Sequence, residues 1–305
     1  MDHTVLLPLG ALALAWALDL AFGEPRNAWH PVAWLGQVLG PIGRALQKLA
    51  PGPAFAGGAL AWGVLAAGLG ASAWALERAL SALPLWAAMP LLAVVLKPMF
   101  AWRMLRDEVG AVESALQRGV PEARAQLARL VSRDVGAFGP HDVRETAIET
   151  LAENLNDSLV APLFWFAVAG LPGAVVYRAA NTMDAMWGYR GPWEWVGKWA
   201  ARADDVLSWI PARITAVLLV PGVRLAAWGG LRREARLTPS PNGGWPMGAM
   251  ALHLDVRLSK PGVYALNATA PRPEARHMAR ALATAHRAAW LAVVLAAAGV
   301  AGRLA

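Results

Sequence analysis

Apolar residues gather in long runs along this chain, separated by polar stretches. Four runs approach the ~20 residues that a bilayer-spanning helix needs: Val5 to Phe22, Phe55 to Leu76, Leu83 to Phe100, and Ala288 to Val300 with its flanks. Two more are interrupted: Leu159 to Val176 by Gly170-Leu-Pro-Gly173, and Val206 to Trp228, which contains Arg213, by Pro221-Gly222. Pro and Gly break helix interiors, so each is expected to be a re-entrant or surface-lying helical hairpin; two kinked spans are the alternative. Strand-like alternation is nearly absent. The pattern predicts an all-α, polytopic integral membrane protein with about four spanning helices, such hairpins and a helical cytoplasmic face, forming one domain over residues 1–305.

Composition agrees with a membrane assignment: 57% of the 305 residues are hydrophobic, only 16% are charged, 16 are Trp, and mean hydropathy is +0.38. Asp2 and His3 precede the first run where a cleaved signal would carry Lys or Arg, so that run is expected to stay as an anchor. Basic residues concentrate in residues 23–50, 101–156 and 229–287, which the positive-inside rule places in the cytoplasm; the hairpins add 178–205 to that side. The net charge of +7 therefore marks cytoplasmic loops, and no aromatic-interleaved basic groove supports nucleic-acid binding. The absence of cysteine excludes disulfides and thiolate chemistry, leaving oxygen or imidazole for any metal.

Chemistry concentrates where polar residues meet these runs. In Ala147 to Phe166, Ile148, Leu151, Leu155 and Leu159 form one helical stripe, while Glu145, Glu149, Glu153 and Asp157 descend another face. No Lys or Arg shares that acidic face, so an external cation is expected to relieve it, and Mg²⁺ suits carboxylates and phosphate oxygens together. A solvated surface is the plain alternative. Tyr177, Asn181, Asp184 and Gly188 share a second face beside Arg178; Arg202, Asp204, Asp205 and Arg213 follow. These suit a cation and a phosphate, or ordinary buried hydrogen bonds and ion pairs. Ser240 to Gly244 reads as a tight turn opening a helix near Pro246, with N–H groups that can cradle an anion. Pro121 marks a helix start, and His30 and Glu24 lie just past the first run.

Five stretches in order resemble the CobD/CbiB family, the adenosylcobinamide-phosphate synthases of cobalamin biosynthesis. They are Asp19-Leu-Ala-Phe-Gly-Glu-Pro25 with His30-Pro-Val32; Glu149-Thr-Leu-Ala-Glu-Asn154 with Asp157 and Ala161-Pro-Leu-Phe164; Tyr177-Arg-Ala-Ala-Asn-Thr-Met-Asp184; Asp204-Asp205 with Trp209-Ile-Pro-Ala-Arg213; and Ser240-Pro-Asn242. His253 and Asp255 depart from the small residues expected after the last stretch, which bears on local helix packing. The resemblance implies a multi-pass protein of the cytoplasmic membrane with its active site facing the cytoplasm. The implied reaction is ATP-dependent ligation of aminopropanol phosphate, or ethanolamine phosphate, to a propionate carboxylate of adenosylcobyric acid. Other corrinoid-pathway membrane enzymes are further candidate partners.

Carried onto this chain, the resemblance makes Glu149, Glu153 and Asp157 the expected holders of Mg²⁺ and nucleotide, with Asp184, Asp204 and Asp205 as further candidates. Arg178, Arg202 and Arg213, with Asn181, Ser240 and Asn242, are expected on nucleotide or substrate phosphate. His30 is the candidate for deprotonating the ammonium. A transporter would be expected to show matching halves, and none is visible; a non-enzymatic assembly or sensor protein on the same fold would not need the acids.

Overall fold

A computed structural model describes residues 3–220 and 225–305. Asp2 and the Pro221-Gly222 break of the second expected hairpin lie outside the described residues. In chain order the helices are α1 (His3–Phe22), α2 (Pro31–Leu46), α3 (Pro51–Ser81), α4 (Leu85–Leu96), α5 (Trp102–Leu116), α6 (Val120–Leu127), α7 (Pro140–Leu155), α8 (Ala161–Trp187), α9 (Glu194–Leu207), α10 (Trp209–Leu219), α11 (Leu225–Ala235), α12 (Gly244–Leu254) and α13 (Ala275–Leu304). Pro121 sits in the first turn of α6, as expected. The protein is all-α and polytopic, and among the described residues five helical runs are long and apolar enough to cross a membrane.

Four of those runs match the four expected from sequence. The fifth, Pro140–Trp187, contains the first interrupted segment. It is no single rod. At Ala169 (φ −131°, ψ 16°) and Gly170 (φ 67°, ψ −157°) the backbone leaves the helix. Gly173 then packs against the carbonyl of Trp165, eight positions back, where a straight helix would separate the two by about 12 Å along its axis. The chain doubles back on itself, as the Gly-Leu-Pro-Gly stretch predicted. Gly170 has a second reason for its identity: a Cβ there would stand 2.6 Å from a carboxylate oxygen of Glu77.

Sequence reading missed a small antiparallel ladder, β1 (Leu258–Lys260) with β2 (Tyr264–Leu266), pairing Leu258 with Leu266 and Lys260 with Tyr264. Three-residue strands carry too little alternation to be read from pattern. The continuous acidic helix expected through Asp157 also needs correction, because α7 ends at Leu155 and residues 156–160 form a π-helical turn. One residue more per turn shifts Asp157 off the strict face of Glu145, Glu149 and Glu153.

The chain divides into two compact units, each built from discontinuous segments. The first contains α1 to α4, α8, α9 and the end of α13; its core includes Leu39, Ala54, Met183, Trp187 and Val196. The second contains α5 to α7, α10 to α12, the strand pair and most of α13. Its core takes the apolar stripe of α7, and Ile148, Leu151, Leu155 and Leu159 are all fully buried, as their spacing predicted. Asp255 closes α12 in the left-handed region (φ 53°), which Asp tolerates better than most residues, so this departure from small residues ends the helix cleanly.

Gly173→Ala is expected to lower stability by about 1–3 kcal/mol, since its methyl meets a backbone carbonyl that cannot rotate away. Gly63→Ala, with open space around its Cα in α3, is expected to be neutral or stabilising. Thermal melts of both variants in detergent check the fold-back; coincident curves for wild type and Gly173→Ala would refute it.

Candidate functional site

The acidic face of α7 is buried, not solvated: Glu145 and Glu149 are each 1% exposed. A carboxylate removed from water needs a counter-charge, and the second unit supplies two from outside the helix. Arg272 donates from Nε to Glu145 at 2.6 Å and also pairs with Asp142, while Ser259 donates its hydroxyl to the other Glu145 oxygen. Arg133 Nη2 donates to Glu149 Oε2 at 2.9 Å. The expectation that these acids wait for an external cation is therefore corrected for Glu145 and for half of Glu149. Both arginines lie far from the helical pattern, which is why periodicity alone did not show them.

Relief stops one turn later. Among the described residues Glu149 Oε1 is buried with no donor at full hydrogen-bond geometry, the Tyr264 hydroxyl approaching that carboxylate without forming one, and Glu153 makes no hydrogen bond or ion pair. Glu153 is flanked by Glu149 and Asp157, with Lys260 and Arg133 supplying positive charge. Asp157 accepts from Asn156 Nδ2 at 2.8 Å. Gly243 closes over this group: a Cβ at that position would stand 2.8 Å from Glu153 Oε1. Tyr264, also missed from sequence, lies beside Glu149 and Glu153. Burial, and then those two carboxylates, push its hydroxyl far above the ordinary tyrosine range, so it stays protonated.

The Ser240 turn is internally bonded. Ser240 Oγ accepts from the N–H groups of Asn242 and Gly243, both at 3.1 Å, so these two do not form an open anion cradle, in line with the plain-loop alternative. Arg213 lies between the rings of Trp209 and Trp245 and donates to Asn242 Oδ1 at 2.9 Å and to the Pro241 carbonyl at 3.2 Å. Arg213 and Asn242 thus set the turn that brings Gly243 onto Glu153.

The remaining candidates belong to the first unit. His30 caps α2, its Nδ1 accepting from the Val32 N–H at 3.2 Å, and its Nε2 lies 2.6 Å from Glu24. The tautomer that satisfies both bonds carries its proton on Nε2, leaving no outward lone pair. The role of free base assigned to His30 is not what this geometry offers. Lys97, a lone cation inside an apolar run, pairs with Glu24 and stands 3.1 Å from the fully buried Asp19. That isolation was the sequence signal overlooked, since ionisable residues in such runs are rare and have partners. Arg178 donates to the Met99 carbonyl at 3.0 Å and approaches Asn181 Oδ1 at 3.4 Å; Asn181 in turn donates to Asp204 at 3.2 Å. Asp205 lies 3.8 Å from the exposed Arg202, and Asp184 lies over Gly188.

Thus Glu149, Glu153, Asp157, Arg213, Ser240 and Asn242 fall in one unit, and His30, Arg178, Asn181, Asp184, Arg202, Asp204 and Asp205 in the other. Among the described residues, no group of three or more His, Asp or Glu side chains could form a protein-only metal cage. Mg²⁺ does not require one, because it commonly takes one or two carboxylates plus phosphate oxygens and water. Glu149 Oε1 and Glu153 fit that smaller demand.

Comparison with known proteins agrees with the family resemblance. The model of the CobD/CbiB protein family matches residues 12–294. The chain belongs to the CobD/CbiB family. It is 38% identical over 265 residues to the probable cobalamin biosynthesis protein CobD of Methanothermobacter thermautotrophicus, covering 85% of this chain and 86% of that protein. It is 40% identical over 273 residues to the similarly named protein of Pyrococcus abyssi (88% of each chain), and 37% identical over 293 residues to the cobalamin biosynthesis protein CobD of Rhodobacter capsulatus (91% and 92%). No solved structure matches.

Two outcomes follow from these networks. Arg272→Met strands the Glu145 carboxylate and is expected to cost about 3 kcal/mol, at the low end for a buried pair because Arg272 is partly solvent-screened. Adding Glu145→Gln should recover most of the loss in unfolding measurements. Burial raises the Glu24 carboxyl, but the His30 hydrogen bond and the Lys97 charge outweigh it and hold the group below its usual 4.5. Its stabilisation is then complete above about pH 4.5 and lost as pH falls through the depressed value. The deficit of Glu24→Gln relative to wild type should therefore be full at neutral pH and shrink in acid; a constant deficit in melts across pH would refute the pairing.

Proposed function

We propose that this protein acts in cobalamin biosynthesis as an adenosylcobinamide-phosphate synthase, joining aminopropanol phosphate or ethanolamine phosphate to a propionate carboxylate of adenosylcobyric acid at the expense of ATP. The observation that carries the reading is Glu153. It is a carboxylate between two others, closed over by Gly243, with no hydrogen-bond or ion-pair partner among the described residues. Membership of the CobD/CbiB family and the names of its relatives support the pathway.

A carboxylate is a poor acyl donor to an amine and must be activated. An oxygen of the propionate attacks the terminal phosphorus of ATP, the bond to the bridging oxygen breaks, and ADP leaves an acyl phosphate. The amine then attacks the acyl carbon, the phosphate departs, and the ammonium proton passes to base or water. Phosphoryl transfer of this kind rests on positioning and on neutralising phosphate charge. Glu149 Oε1 and Glu153 would hold a phosphate-bound Mg²⁺, which supplies part of that neutralisation when present. Tyr264, protonated beside them, offers a donor. The network of Lys97, Glu24 and His30 and the chain from Arg178 to Asp204 fix the family's other polar stretches within the first unit. On this reading the protein lies in the cytoplasmic membrane and residues 178–205 face the cytoplasm.

Glu153→Gln keeps nearly the same volume and removes one charge, so α7 and its buried leucine stripe should persist. Ligation by the purified variant, followed by mass spectrometry of the amide product, is expected to be abolished. A surface role would instead leave the rate unchanged or relieve like-charge repulsion; activity within about threefold of wild type, roughly 0.65 kcal/mol in barrier, would exclude Glu153. The facing of residues 178–205 is tested by a single cysteine at position 190, in a chain with none of its own. An impermeant thiol reagent added to intact cells should leave it unlabelled.

A further inference from the structure

Resting on that reading, we infer that Arg133 and Glu149 form a dipolar ligand site, taking a phosphate oxygen on Arg133 Nη1 and its cationic partner on Glu149 Oε1 and Glu153. Arg133 and Glu149 bond to each other through one atom each, Nη2 and Oε2, at 2.9 Å. Their second atoms, Arg133 Nη1 and Glu149 Oε1, are both buried and, among the described residues, both lack a partner at hydrogen-bond geometry. A buried ion pair whose only task was mutual neutralisation would turn both forks onto each other or onto backbone, as Arg144 does with Glu113, where Nε and Nη2 meet the two carboxylate oxygens at 2.8 and 2.7 Å. Here one strong donor and one strong acceptor, the latter approached only by the Tyr264 hydroxyl short of full hydrogen-bond geometry, are left open among the described residues, a costly arrangement unless a ligand completes it.

The surroundings define that ligand. Glu153 adds a second open carboxylate one turn along α7, and Lys260, exposed at the end of β1, adds positive charge. A simple anion would be repelled by the carboxylates, and a simple cation would leave Arg133 unsatisfied. A group carrying both signs, with a phosphate next to a positive centre, satisfies all of them. Two ligands of the proposed reaction have this chemistry: a metal-bound nucleotide and the zwitterionic amino alcohol phosphate.

Arg133→Lys separates the roles, because an ammonium keeps its charge beside Glu149 but lacks a rigid fork that holds Glu149 and a phosphate together. Equilibrium dialysis with detergent-purified protein would measure binding of ATP with Mg²⁺ in one arm and of aminopropanol phosphate without metal in the other. The expected result is a loss of roughly tenfold or more in one arm, the size of one charge-assisted hydrogen bond; the affected arm names the ligand. Should Arg133→Lys fail to fold, as judged by its melt, Lys260→Met replaces it. That side chain is exposed, and the same arm should weaken by about threefold and lose part of its salt dependence. Unchanged affinity in both arms for the folded variant would overturn the inference while ligation by wild type leaves the synthase reading in place. Weakened binding, with no amide formed by wild type, would do the reverse.

Discussion

The second unit depends on how a carboxylate is kept charged, or kept in company, once it has left water. Helix α7 directs its leucine stripe into the core, and the rotation that buries Ile148, Leu151 and Leu155 also carries Glu145 and Glu149 below the surface. Moving an ion into a low dielectric costs several kcal/mol even after relaxation. That cost is met by groups remote in sequence. Arg133 lies ahead of α7, and Ser259 and Arg272 lie more than a hundred residues beyond it. The acids therefore fix tertiary structure, drawing the segment that contains the strand pair onto α7.

The first unit solves a related problem in its interrupted helix. Where α8 breaks, carbonyls of one arm and N–H groups of the next lose their helical partners, and water cannot replace them in an apolar layer. The Glu77 carboxylate, from α3, lies against Gly170 at the break, while Arg303, from the end of α13, reaches the Phe166 carbonyl at 3.4 Å. Two charged side chains of opposite sign thus stand at the break. Gly170 and Gly173 let the turn form, and Glu77 and Arg303 let it remain buried.

This division explains what could be read from the chain. The helical class, the four uninterrupted apolar runs, the fold-back at Gly170 and the buried face of α7 follow from local pattern, because period and helix breakers are local quantities. The partners do not. Arg133, Arg272 and Tyr264 reach α7 across loops whose closure no periodicity encodes, and the three-residue strands that carry Tyr264 are too short to announce themselves. The π-helical turn at residues 156–160, which moves Asp157 off the face of its neighbours, likewise depends on packing. Lys97 is different. A single ammonium in an apolar run was visible, and only its partners, Asp19 and Glu24, required the fold.

Along α7 the acids change character one turn at a time. Among the described residues Glu145 has both oxygens bonded, to Arg272 and Ser259; Glu149 has one bonded and one approached only by the Tyr264 hydroxyl; Glu153 has neither bonded. The same four-residue spacing thus yields an anchor, a hinge between anchor and site, and a ligand-ready group. The order follows from where the positive side chains can reach: the Arg272 loop meets the first turns of the helix, Arg133 meets the middle, and beyond them the Ser240 turn brings Gly243, a residue without a side chain, against the last carboxylate. A larger residue there would stand in the space beside Glu153. The open carboxylate is therefore a consequence of the same packing that satisfies the other two, and charge left uncompensated at that end is where an incoming cation gains most.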